Sequence, residues 1–280
     1  DLSAVFDGWH AQYRLRTYVI SVPFHLKLVT PKAYGYSPNS SMAMEDGMRP
    51  RDRETEVFEM IVQDVDMGEC HEKGYHPVKL ITNLGLIQCR YYPVTNAQYA
   101  AIWVGGVGGD WDTPAQGLYP LLCQELQNDA IASLRVRFRY PTQLHEAVFD
   151  VLAGISYLED QGIKNIALIG HSFGGAVVIQ AAAQAENVST VVTLATQGYG
   201  TDPAPELATR CSLLLLHGTD DPILTPICSQ HVYEIALEPK RLILYPGATH
   251  GLDEVAAEVH QVVRDWVIEQ LKRPLSVQLS

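Results

Sequence analysis

Residues 170–174 read Gly-His-Ser-Phe-Gly, preceded by the apolar run Ile166-Ala167-Leu168-Ile169 and followed by an Ala-rich segment. A serine between glycines, where a strand passes into a helix, sits on a turn too sharp for ordinary backbone angles, and its hydroxyl is pushed out at the carboxyl end of the sheet. The helix start behind it favours developing negative charge. Ser172 is therefore the candidate nucleophile for attack on an acyl group. A serine hydroxyl needs a base to take its proton, and the base needs a carboxylate to hold its tautomer. Both residue types follow downstream. Residues 212–222 (SLLLLHGTDDP) form an apolar strand running into a turn with two acids, Asp220 and Asp221, and residues 242–251 (LILYPGATHG) form a strand whose following loop presents His250. Serine, acid and histidine thus each lie beyond the carboxyl end of a successive strand.

Other chemistries fit less well. Residues 70–76 (CHEKGYH) superficially resemble a zinc site, but His71 and His76 are five apart, about 140° out of phase on a helix, with Gly74 between them. The segment reads as a polar loop, and no metal is expected. The five cysteines (Cys70, Cys89, Cys123, Cys211, Cys228) are odd in number and contain no C-x-x-C pair, so they read as reduced thiols. Gly105-Gly106-Val107-Gly108-Gly109 does not meet the G-x-G-x-x-G spacing of a dinucleotide site, and no cofactor is expected.

The elements that must carry these residues follow from hydrophobic period. Strands are predicted at 57–62, 78–82, 86–92, 100–104, 131–138, 166–169, 191–195, 213–216 and 242–245. Residues 143–160 carry Leu144, Val148, Val151, Leu152, Ile155 and Leu158 on one helical face, with Thr142 available as N-cap. Further helices are predicted from Phe173 and over 252–271. Short apolar strands alternating with helices predict an α/β fold, a mostly parallel sheet covered on both faces. Residues 1–56 show neither period: 18–29 are strand-like but interrupted by Pro23, and 30–53 are rich in Pro, Gly, Ser and Met. They read as an irregular N-terminal arm ahead of a catalytic domain over 57–280.

Over residues 81–271 the sequence resembles the α/β-hydrolases, through GHSFGG, HGTDDP and the PGATHG loop. The resemblance implies a doubly wound sheet, with the acid after the seventh family strand and the base histidine after the eighth. Carried over by position, the acid is Asp221 and the base His250, with Asp220 the competing carboxylate. His217 takes the family's structural place in the turn, and His171 lacks the loop freedom a base needs. The oxyanion hole is then formed by the N–H of Phe173 and by a second N–H after the strand at 100–104. There the family's usual His-Gly is replaced by Gly105-Gly106, so Val107 is the donor by alignment and Gly106 the alternative. Residues 196–211 leave no room for the helical cap that many members insert. The chain is therefore similar to the capless branch of dienelactone-hydrolase-like proteins and small carboxylesterases, with serine as nucleophile. Trp111, Thr196, Gln197 and Tyr199 are expected to line an open cleft suited to an apolar acyl or alcohol group; ordinary rim packing is the alternative.

Composition narrows the partners. With 47% hydrophobic and 19% charged residues the 280-residue chain has material for a sizeable core. A net charge of −12 gives no support for phosphate binding, so no nucleic-acid partner is expected. Ten acids against three arginines between Glu45 and Glu72 read as a solvated face, with docking to a basic protein as the other reading. No stretch is long and apolar enough to span a membrane, and the start lacks a secretory pattern, so a cytoplasmic protein is expected, or another soluble compartment if a leader preceded Asp1. The function expected is hydrolysis of a small or medium ester through an acyl-serine. A thioesterase, a serine peptidase and a non-catalytic scaffold are the alternatives.

Overall fold

The computed structural model describes residues 17–20 and 58–273. Ten strands form one sheet: β1 (Thr17–Ile20), β2 (Phe58–Met67), β3 (His76–Thr82), β4 (Gly85–Tyr92), β5 (Tyr99–Val104), β6 (Ile131–Arg137), β7 (Asn165–His171), β8 (Val188–Leu194), β9 (Ser212–Gly218) and β10 (Lys240–Tyr245). Their order is β1-β2-β3-β4-β6-β5-β7-β8-β9-β10, antiparallel from β1 to β6 and parallel from β6 to β10. Among the described residues five α-helices accompany them: α1 (Leu118–Glu125), α2 (Leu144–Asp160), α3 (Phe173–Gln184), α4 (Ile227–Ile235) and α5 (Ala256–Leu271).

The central strands are apolar throughout because both faces are covered, and their period of two divides the core. Ile102, Leu168, Leu213 and Leu215 pack with Val151, Ile155, Val177 and Val232 of α2, α3 and α4. Trp103, Ile169, Leu214 and Leu216 face the other way, onto Leu118 and Leu122 of α1 and Val259, Val263 and Val267 of α5. The chain leaves β5 toward β6 on one side and returns to β7 on the other. This places the switch point, where open α/β sheets form their crevice, at the carboxyl ends of β5 and β7. The loop of glycines and Ser172 occupy those two ends.

The predicted strands and the helix faces agree with this architecture, with local differences. Strand β2 runs on to Met67 because β3 supplies its ladder partners, with a bulge between Val62 and Asp64. Thr142 does not cap α2: the turn that bonds Gln143 N–H to Tyr140 O moves the cap position to Gln143, which makes no side-chain cap bond. Helices α1 and α4 escape the pattern reading. In α1, Pro120 lies in the first turn, where a missing N–H costs nothing, yet it reads in sequence as a breaker. In α4 only Ser229 and Val232 are buried. The N-terminal arm, apart from β1, lies outside the described residues, as does the part of the acidic run before Phe58; Asp64, Asp66, Glu69 and Glu72 are exposed. In the turn at 70–76 the His71 ring stacks on Tyr75, and the His76 Nδ1 lies 3.0 Å from Gly68 O. Among the described residues no helix is long and apolar enough to cross a membrane.

Candidate active site

Ser172 sits between the end of β7 and the first turn of α3 with φ 57° and ψ −118°, a conformation that costs a non-glycine residue roughly 1–3 kcal/mol. The strain is held by backbone bonds on both sides: Ser172 N–H to Leu194 O at 2.8 Å and Gly175 N–H to Ser172 O at 3.1 Å. It also needs the flanking glycines. A side chain at 170 would run into the carbonyl of Gly174, and one at 174 into the carbonyl of Gly105. The second contact brings the loop after β5 against Ser172: a Cβ at Gly106 would stand 3.1 Å from Ser172 Cβ.

Three residues past β9, Asp221 is buried. Its Oδ1 accepts the N–H groups of Ile223 (2.8 Å) and Leu224 (2.9 Å), and its Oδ2 accepts His250 Nδ1–H at 2.7 Å. Oδ2 also lies 3.1 Å from His217 Nε2. Burial alone would push the carboxyl up; the bonds from His250, Leu224 and Ile223 outweigh it and hold the group below its ordinary value. His217 is fully buried, and burial pushes its pKa down, toward a neutral ring. Its Nε2 faces two acceptors, Asp221 and Leu224 O (2.8 Å), so that nitrogen carries the hydrogen and Nδ1 accepts from Ser229 Oγ–H at 2.7 Å. Asp220 points away: it is exposed, with its carboxylate on Thr219 Oγ1.

The loop after β10 carries His250 and is fastened at several points. Asp220 N–H bonds Ala248 O at 3.0 Å, Ala115 N–H bonds Gly251 O at 2.7 Å, and Thr249 is held by Glu254. The His250 ring packs against that of His171, centroids 4.8 Å apart. This puts the imidazole beside the residue preceding Ser172. With Nδ1 committed to Asp221, Nε2 is the nitrogen left for a serine proton.

The remaining candidates are distributed unevenly. Phe173 is the first residue of α3, so its N–H has no intrahelical acceptor. The Asp112 carboxylate stands beside Gly106, its Oδ2 3.7 Å from where a Cβ there would lie, and the side chain of Val107 is exposed. Thr196 does not line a cleft. It is completely buried, its Cβ and Oγ1 lying where a Gly175 side chain would stand, because the strand end after β8 packs directly under α3. Gln197 N–H reaches Ser172 O at 3.3 Å and its amide bonds Tyr199 O, while Tyr199 itself is exposed. Trp111 presents its ring to the Arg90 guanidinium at 4.0 Å, and its carbonyl accepts from Arg135. Between β8 and β9 the chain makes only a short 3-10 turn (Ala204–Leu207), so this connection builds no cap.

Cys89, Cys123 and Cys211 are buried, and burial pushes their thiols up, to about 12 for Cys123 and Cys211. Such thiols are inert nucleophiles. Asp112, Ser229 and Arg90 were invisible to the sequence reading, since each meets the site only across the fold; His171 was visible inside the motif.

The profile of the dienelactone hydrolase family matches residues 122–265. No curated protein sequence matches the chain significantly. Among solved structures, a dienelactone hydrolase from Anabaena variabilis is 19% identical with a TM-score of 0.62, covering 71% of this chain and 98% of its own. Est1E from Butyrivibrio proteoclasticus is 17% identical with a TM-score of 0.56, covering 75% and 99%. The esterase domain of a Rhodothermus marinus protein is 20% identical with a TM-score of 0.55, covering 74% and 99%. At these identities the structures speak for the fold, and the family match spans half the chain, including α3, β9 and the loop of His250. The protein therefore belongs to the dienelactone hydrolase family, as a hydrolase built on the α/β-hydrolase fold.

Proposed function

We propose that the protein is a serine hydrolase that cleaves carboxylic esters through an acyl-Ser172 intermediate. The reading rests on one observation above the others: a buried Asp221 carboxylate holds His250 Nδ1 at 2.7 Å, on a loop packed against the strained turn that carries Ser172. His250 Nε2 takes the hydroxyl proton as Ser172 Oγ attacks the carbonyl carbon. The tetrahedral oxyanion is stabilised by the N–H groups of Phe173 and Val107, helped by the amino terminus of α3. Collapse breaks the ester bond, and the proton on His250 leaves with the alcohol. Water then repeats the sequence on the acyl-enzyme, releasing the acid and restoring Ser172. No step calls on a metal or cofactor.

The substrate is a small or medium ester with an apolar acyl or alcohol group, since the uncapped rim offers Val107 and Tyr199 as exposed apolar surface beside Gln197. Residues 1–56 take no part in this chemistry, and a basic protein partner for the acidic run is left to them. The test is labelling with a fluorophosphonate, followed by a panel of ester, thioester and amide substrates. Label should be confined to Ser172 and absent from Ser172→Ala, and that variant and His250→Ala should each lose at least about 10³-fold in ester turnover. Turnover that survives in Ser172→Ala refutes the assignment. Faster cleavage of thioesters or amides than of esters refutes the substrate class.

A further inference from the structure

We propose that Asp112 and His171 are a pair of positioning residues, acting through the backbone to hold the oxyanion-hole loop and the base loop in register with Ser172. The proposal rests on the serine hydrolase reading above.

His171, the last residue of β7, is buried, and its Nε2 lies 3.0 Å from the carbonyl oxygen of His250. A carbonyl only accepts, so Nε2 donates, and the ring ties the base loop to the strand that ends at the nucleophile. Its other nitrogen is the unusual one. Nδ1 is buried without a hydrogen-bond partner among the described residues, and the carboxylate it faces is Asp112 Oδ2, 3.8 Å away. A bare Nδ1 and a carboxylate oxygen both accept, so Asp112 attracts this nitrogen only when Nδ1 carries a hydrogen as well as Nε2.

Asp112 sits at the far end of the glycine loop. Its Oδ1 accepts the N–H of Thr113 at 2.9 Å, and a Cβ at Gly106 would stand 3.7 Å from its Oδ2. The His171 ring is the largest of the influences that hold this carboxyl below its ordinary value, and burial opposes it. The loop has little slack around the acid: a Cβ at Gly105 would stand 3.0 Å from Asp112 Cβ. This packing sets Asp112 against the loop whose Val107 N–H is the oxyanion donor in the mechanism proposed above.

One acid and one histidine thus connect the three segments that must agree in position: the loop after β5, the turn after β7 and the loop after β10. Neither residue is assigned a place against the substrate, so their removal should lower kcat and leave KM nearly unchanged. A misplacement of catalytic groups by about 1 Å is worth up to about 10²-fold in rate.

The experiment compares His171→Ala, His171→Gln, Asp112→Ala and Asp112→Asn with the wild type in hydrolysis of p-nitrophenyl butyrate, with melting temperatures measured alongside. His171→Ala and Asp112→Ala should lose about 10- to 100-fold in kcat, with KM within about twofold. Partial recovery is expected in His171→Gln, whose amide can donate to His250 O, and in Asp112→Asn, whose carbonyl can still accept from Thr113. The proposal is overturned if the alanine variants keep kcat within about twofold, if KM rises as far as kcat falls, or if the conservative variants recover nothing. Should His171→Ala fail to fold, the Asp112 pair decides by the same criteria, because that acid is 43% exposed. Fluorophosphonate labelling of wild type separates the two levels: no Ser172-dependent label means the serine hydrolase reading has failed, whereas normal label with unaffected variants means that only the positioning role has.

Discussion

Replacing Asp221 by asparagine keeps shape and volume but changes what the site can donate and accept. The carboxylate now receives four hydrogens, from Ile223, Leu224, His250 and His217. An asparagine that keeps its carbonyl on the two backbone N–H groups turns its amide toward His250 Nδ1 and His217 Nε2, both donors in the present arrangement. To avoid a donor-donor clash His250 must move its hydrogen to Nε2, and that nitrogen can then no longer take the serine proton. Loss of the correct tautomer in a Ser-His-acid site costs on the order of 10⁴-fold in kcat, or about 5 kcal/mol of barrier. Loss of the charged acceptor opposite His217, which keeps Leu224 O, should also cost about 1–3 kcal/mol of stability. Asp220→Asn touches only Thr219 and solvent, and should change kcat by less than about tenfold. The assay is ester hydrolysis by both variants with denaturant unfolding alongside. An Asp221→Asn enzyme within tenfold of wild type, or an Asp220→Asn enzyme that loses more, refutes the assignment of the acid.

Gly174→Ala should cost at least about 1–3 kcal/mol, because its methyl group meets the Gly105 carbonyl and drives the oxyanion loop off the turn; unchanged chemical denaturation and turnover would contradict that packing. Asp221 has a folded pKa below its ordinary value, so it contributes stability that is present above about pH 4 and lost as pH falls through the lower folded value. The stability gap between wild type and Asp221→Asn should therefore narrow below pH 4, and a gap that widens on acidification would reverse the sign. A chain starting at Arg53 should keep ester turnover per folded molecule within about threefold. Because β1 pairs along β2, that chain exposes the β2 edge and should aggregate more readily; loss of all activity in the folded protein would show that the arm completes the site.

The chemistry-bearing turn was legible because several local requirements coincide in a few residues. A strand of Ile166, Leu168 and Ile169, two glycines that must accept close backbone approach, and a serine between them leave one geometry, and the observed φ of 57° at Ser172 is that geometry. The choice between Asp220 and Asp221 was open to period and spacing, since both acids share one turn. Burial and the direction of the carboxylates separate them, and both depend on how α4 and the base loop pack over β9. Thr196 went the other way: next to the motif-bearing strands it reads as a cleft residue, yet the descent of α3 onto the end of β8 buries it.

Local sequence marked out strands β2 to β10, helices α2, α3 and α5, and the candidate serine and histidine, because hydrophobic period, glycine spacing and segment length are properties of neighbours along the chain. The partners of those residues were settled by folding. Asp112 approaches His171 across 59 positions, His250 O meets His171 Nε2 across 79, and Ser229 reaches His217 from a helix whose apolar face is too small to announce itself. Such contacts carry no periodic signal. They exist because a parallel sheet gathers the carboxyl ends of separate strands into one crevice, where polar groups taken from water must find one another.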